Sequence, residues 1–125
     1  MATELTICLV DRPGSLATAC DTLGRAGVNI DGACGMVRDG RGELHVLVSD
    51  SVQAERALID AGFEICAERQ VTVVAVPNQP GSAASLLRRV AEAGVNVELL
   101  YATADGRMVL AGEDTRALRE ALGPA

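Results

Sequence analysis

The groups best placed to hold a polar ligand lie together in one turn. Asp11-Arg12-Pro13-Gly14-Ser15-Leu16 brings a carboxylate, a guanidinium and a hydroxyl to a break between a strand pattern and a helix pattern. Pro13 cannot join a strand ladder, and Gly14 allows the sharp turn that launches a helix. Backbone N–H groups at a helix start carry partial positive charge and can receive a carboxylate, while Asp11 can take an ammonium group. The same residues also read as plain turn chemistry, with Ser15 placed to cap or open the helix.

Other reactive types do not assemble into a catalytic set. The single histidine, His45, sits on an alternating strand pattern, and no nucleophile motif surrounds Ser15, Ser49 or Ser82, so neither Ser-His-Asp nor Cys-His chemistry is supported. The chain has no Lys, and Pro13-Gly14 and Pro80-Gly81 form neither a P-loop nor a G-x-G-x-x-G fingerprint. Asp105 and Glu113-Asp114 fall at turns or a helix start, where carboxylates usually cap or stay solvated. Cys8, Cys20, Cys34 and Cys66 lie in apolar patterns without a C-x-x-C pair, and each reads as a small core residue in a reducing compartment. No metal, no cofactor and no catalysis are expected.

The elements that must position the turn are legible from periodicity. Leu5, Ile7 and Leu9 alternate in a first strand, and Leu16, Ala19, Cys20 and Leu23 form the stripe of a one-faced helix. Gly27 stands where a helix end wants a left-handed residue. Val28, Ile30, Cys34 and Met36 share one parity of a second strand; Ala33 and Gly35, on the other, suggest that another element or subunit comes close. Asp39-Gly40 predicts a hairpin into a third strand through Leu44, Val46 and Val48. Asp50-Ser51-Val52-Gln53 resembles a capping box before a stripe of Ala54, Ala57, Leu58 and Ala61. Phe63 and Ile65 alternate with Glu64 and Cys66 in a fourth strand.

This order then repeats. Pro13 recurs as Pro80, Gly27 as Gly94 and Asn29 as Asn96, a constant offset of 67, so Asn78-Gln79-Pro80-Gly81-Ser82-Ala83 echoes the first turn. The second helix stripe becomes Ala83, Leu86, Leu87 and Val90, the hairpin turn Asp105-Gly106, the short strand Met108-Val109-Leu110, and the last helix carries Leu118, Ala121 and Leu122. The chain reads as two α+β, ferredoxin-like βαββαβ modules in tandem, residues 1–68 and 71–125, each an antiparallel sheet with helices on one face. The second lacks its last strand, and Glu68-Arg69-Gln70 is the boundary between them. An uncovered sheet edge invites a neighbour, so the Val71-Val76 edge is expected to pair within a homodimer.

Composition narrows the partners. A net charge of -6 and 2% aromatic residues provide neither a basic field nor a stacking surface for nucleic acid. No window approaches the length of a membrane span, and no basic, apolar leader precedes the first strand, which predicts a cytoplasmic protein.

The paired turns, each followed by Gly27-Val28-Asn29-Ile30 or Gly94-Val95-Asn96-Val97, resemble those of ACT domains, small ferredoxin-like regulatory modules of amino-acid metabolism. The resemblance covers essentially the whole chain. It implies that a small metabolite, most often an amino acid, is held between two modules, where the first turn of one meets the start of the second strand of another. Carried over residue by residue, it points to Asp11, Arg12, Gly14, Ser15 and Leu16 with Asn29 and Ile30. In the second copy it points to Asn78, Gln79, Gly81, Ser82 and Ala83 with Asn96 and Val97.

Two departures make the copies unequal: Leu16 becomes Ala83, and Asp11-Arg12 becomes the neutral Asn78-Gln79. Asn29 and Asn96 read either as ligand contacts or as residues easing the chain out of a helix cap. The expectation is a non-catalytic regulatory protein that binds an amino acid and shifts its own assembly or a partner enzyme. The alternative is a ligand-free interaction module that regulates or scaffolds such an enzyme.

Overall fold

A computed structural model describes residues 2–123. The elements run β1 (Ala2–Val10), α1 (Ser15–Arg25), β2 (Ile30–Arg38), β3 (Arg41–Val48), α2 (Ser51–Asp60), β4 (Glu64–Ala75), α3 (Ser82–Glu92), β5 (Leu99–Ala102), β6 (Arg107–Ala111) and α4 (Thr115–Leu122). The chain divides into two compact units that meet in sequence between Arg69 and Gln70. Glu68-Arg69-Gln70 is not a loop: all three residues lie inside β4, whose first half closes the first unit and whose second half opens the next.

In the first unit the strand order is β2-β3-β1-β4, the α+β, ferredoxin-like arrangement. Strand β3 pairs antiparallel with β1 and with β2. The Asp39-Gly40 turn has both residues at positive φ, 51° and 76°, which matches the twist a two-residue hairpin needs. In the second unit β4 and β5 flank β6, both antiparallel to it.

Local chemistry sets the helix limits. Gly14 and Gly81 cap α1 and α3 at φ 90° and 87°, a left-handed conformation that a side chain would strain. Asp50 and Asp114 cap α2 and α4, their carboxylates accepting the N–H of Gln53 at 3.0 Å and of Ala117 at 2.9 Å. Gln53 does not complete the capping box; its side chain donates instead to the carbonyl of Ala26.

Two apolar cores result. Leu5, Ile7, Leu9, Ala19, Leu23, Leu44, Val46, Val48, Ala54 and Leu58 fill the first, and Val74, Leu86, Val90, Leu110, Leu118 and Leu122 the second. Each fully buried leucine contributes about 1.5–3 kcal/mol from removal of its apolar surface. The α1 stripe is narrower than its periodicity predicts: Ala19 and Leu23 are buried, whereas Leu16 is 53% exposed and Cys20 also faces outward.

Strand β2 departs from simple alternation. Ile30 pairs with Val48 but Gly32 pairs with Leu47, a bulge at Asp31 that turns every later side chain to the opposite face. Ile30 therefore packs on the core with Val48, while Cys34 and Met36 stand opposite His45 and Glu43 on the other face. The small residue Gly35 receives Leu16 of α1, whose Cδ2 lies 3.7 Å from where a Cβ would stand. The cysteines also depart from the core reading. Cys8 and Cys66 form a disulfide between β1 and β4 with Cα atoms 5.9 Å apart, and Cys66 is exposed.

Candidate functional site

The turn after β1 is held by its own backbone. Arg12 N–H donates to Val10 O at 2.9 Å and Ser15 N–H to Arg12 O at 3.3 Å. The Ser15 hydroxyl opens the helix rather than capping it, turning back to donate to Val10 O at 2.6 Å. No side chain caps α1, so the first-turn amides keep the partial positive charge that a helix start presents. Asp11 and Arg12 stand exposed beside them.

Two clefts flank this turn. The larger, about 670 Å³, is lined by Asp11, Arg12, Gly14 and Ser15 together with Cys8, Arg41, Phe63 and Glu64. The smaller, about 220 Å³, is lined by Asp11, Arg12, Ser15 and Leu16 together with Gly35, Met36, Val37 and Glu43. All five expected turn residues thus border a concave surface. Arg41, Glu64 and Phe63 were not anticipated. The register Val10 opposite Arg41 carries the hairpin arginine to the turn, where its Nη2 lies 3.2 Å from Glu64 Oε1. The arginine after Asp39-Gly40 was visible in the sequence; its partner on β4 was not.

Asn29 and Ile30 line neither cleft. Ile30 pairs with Val48, at the far end of β3 from Arg41. At about 3.3 Å per residue the two ends of that strand lie roughly 23 Å apart. Asn29 is exposed, and its Nδ2 donates to Asp31 Oδ1 at 2.8 Å, beside the bulge. The seven expected residues of the first module therefore divide between opposite ends of one sheet.

The second module divides in the same way. Ala75, which leads to Asn78, Gln79, Gly81 and Ser82, pairs with Arg107, whereas Leu99, which follows Asn96 and Val97, pairs with Ala111. Its turn repeats the backbone pattern of the first, with Gln79 N–H on Pro77 O at 2.9 Å and Ser82 N–H on Gln79 O at 3.2 Å. What differs is the side chains: two neutral amides replace an acid and a base, and the half-buried Ala83 replaces the exposed Leu16.

A polar cluster lies away from both turns. His45 Nδ1 is 2.9 Å from Glu4 Oε1 and 3.1 Å from Thr6 Oγ1, and all three residues are buried. The hydrogen bond to Glu4 raises the His45 pKa above its ordinary 6.5 against the opposing cost of burial, with Glu43 adding to the rise. At the second hairpin, Arg107 and the Thr103 hydroxyl hold Asp105 below the usual carboxylate range. These contacts order a buried strand face and a turn, with Cys34 opposite His45 in the β2–β3 pairing. Among the described residues no helix is long and apolar enough to cross a membrane.

No protein-family model matches the chain, and no curated protein matches it. Solved structures do. Protein BT0572 from Bacteroides thetaiotaomicron is 27% identical with a TM-score of 0.87, the match covering 97% of this chain and 85% of that one. The ligand-free regulatory subunit of aspartate kinase from Thermus thermophilus is 22% identical with a TM-score of 0.72, covering 97% and 89%. The corresponding subunit from Thermus flavus is 22% identical with a TM-score of 0.69, covering 97% and 90%. The chain thus shares the α+β fold of these structures.

Proposed function

We propose that this chain is a non-catalytic regulatory protein of amino-acid metabolism, built from two ACT-like modules at residues 1–68 and 71–125. It binds an amino acid between modules. The carboxylate of the ligand sits on the uncapped start of α1 at Gly14, Ser15 and Leu16, and Asp11 takes its ammonium group, with Arg12 alongside. The site is completed by an Asn29-Ile30 edge from another module. Asn78, Gln79, Gly81 and Ser82 with Asn96 and Val97 form the weaker counterpart, since they lack the charged pair.

One observation carries this reading. The two groups of residues that the ACT resemblance brings to one ligand lie at opposite ends of a single sheet, so a complete site needs a second module. A ligand bridging modules has different affinity for separated and assembled states, which is the requirement for a switch. The homodimer expected from the sheet edges supplies such modules, and a partner enzyme of amino-acid metabolism is the natural recipient of the signal. The regulatory subunits that share the fold support that direction.

Thermal unfolding followed by circular dichroism, with each of the twenty amino acids in turn, tests the proposal. A ligand at about 100 times its Kd adds about 2.7 kcal/mol. One amino acid, or a related few, should raise the midpoint, and Asp11→Asn should remove that rise while leaving the unliganded midpoint in place. A flat panel favours the second reading, a ligand-free interaction module. The observation behind that reading is the exposed apolar set Val10, Leu16 and Val37 beside edge strand β2.

A further inference from the structure

We propose that Cys8, Cys66 and Glu64, once the cysteines are reduced, form a binding site for a thiophilic divalent cation of the Zn²⁺ type, and that this site and the disulfide are alternative states of the same two sulfurs. Cys8 lies on β1, and Cys66 and Glu64 lie two residues apart on β4, so their side chains share a face of that strand. The two Sγ atoms and one Glu64 carboxylate oxygen all lie within 4.8 Å of one another. Zn–S distances of about 2.3 Å and Zn–O distances of about 2.0–2.2 Å place tetrahedral ligands roughly 3.5–4 Å apart; Cys66 Sγ and Glu64 Oε2, 3.7 Å apart, already stand at that spacing, and the two sulfurs, bonded in the disulfide, must part to it on reduction.

The surroundings suit an exchangeable ion. Cys66 and Glu64 are exposed, and Cys8 and Glu64 line the open 670 Å³ cleft, so an ion has a path in and a fourth position open to water. Two thiolates and a carboxylate outweigh the charge of the cation and favour soft over hard metals. Arg41 is the competitor: its Nη2 lies 3.2 Å and 3.3 Å from the two Glu64 oxygens and must release one of them. The site borders the same cleft as Asp11 and Ser15, and Cys8 is three residues before Asp11, so the ion would join β4 to the strand that presents the turn.

The chemistry balances with an external dithiol. The dithiol gives two hydrogens to the Cys8–Cys66 disulfide and becomes a disulfide itself, leaving two thiols on the protein. Binding the cation then releases two protons as both thiols become thiolates. In the reverse exchange an external disulfide accepts two electrons and two protons and becomes a dithiol, while the two thiolates form the S–S bond and the ion is expelled. The remaining cysteines, Cys20 on α1 and Cys34 on β2, take no part.

The test titrates the full chain, reduced with a phosphine and then desalted, with Zn²⁺ against a chromophoric chelator, and with Co²⁺ to read thiolate charge-transfer absorption. The reduced chain should take up one ion and the untreated disulfide form none. Cys20→Ser/Cys34→Ser should bind as the parent does. Cys8→Ser and Cys66→Ser should each bind about 100-fold more weakly, and Glu64→Gln about tenfold, since even outer partners of a metal site are worth 10–100-fold. Arg41→Ala should bind more tightly. No uptake by the reduced chain, or uptake abolished by Cys20→Ser/Cys34→Ser, would overturn the site, and unchanged affinity in Glu64→Gln would remove Glu64 from it.

Discussion

His45 and Glu4 meet on adjacent strands with Nδ1 and Oε1 2.9 Å apart, at 7% and 0% exposure. That pairing makes stability depend on pH. Because the hydrogen bond to Glu4 raises the folded-state pKa of His45 above 6.5, the folded chain holds the proton more tightly than the unfolded chain does. The resulting stabilisation is complete below 6.5 and is lost as pH rises through the raised value. Melting midpoints should therefore fall as pH increases from about 6 through neutrality, and His45→Gln should flatten that slope. Removing the ring altogether, as in His45→Ala, should cost about 3 kcal/mol, because it strips a partner from a buried carboxylate.

The two aspartate caps offer a direct comparison of the repeats. Asp50 and Asp114 accept amide protons at 3.0 Å and 2.9 Å from the third residue along. Asp50→Ala and Asp114→Ala should each lose about 1 kcal/mol in urea unfolding, and replacement by Asn should recover most of it.

Gly112 is held against the chain by packing. A Cβ there would stand 2.5 Å from the carbonyl oxygen of Asn96, and Glu98 N–H donates to Ala111 O at 2.8 Å in the same crossing. Gly112→Ala should cost about 1–3 kcal/mol through forced backbone displacement. Faster amide exchange at Glu98 would locate the damage; an unperturbed Glu98 would contradict the account.

Reduction of the Cys8–Cys66 disulfide releases a closed loop spanning a sequence separation of 58. The chain-entropy relation assigns such a loop about 4 kcal/mol. Denaturant midpoints with and without reductant should differ accordingly, and Cys20→Ser/Cys34→Ser should leave the difference intact.

Local rules were sufficient for much of the framework. Pro13-Gly14 and Pro80-Gly81 break strands and start helices because of their own backbone chemistry, Asp39-Gly40 turns a hairpin for the same reason, and Asp50 caps because a short carboxylate reaches the third amide. The 67-residue repeat exposed two copies of the same turn without any coordinates.

Register and distance were beyond such rules. The bulge at Asp31 inverts the faces of β2, and nothing in an alternating pattern marks where one residue is skipped. Cys8 and Cys66 are brought together by the neighbouring positions of β1 and β4, so their spacing along the chain held no sign of a pair. Asn29 and the Asp11 turn share a module but stand at opposite ends of β3, a separation fixed only when three strands align. The sequence by itself determined which residues form each turn and cap, because those depend on a few adjacent backbone torsions. Only the tertiary structure decided which residues meet, because strand pairing sets distances between points far apart in the chain.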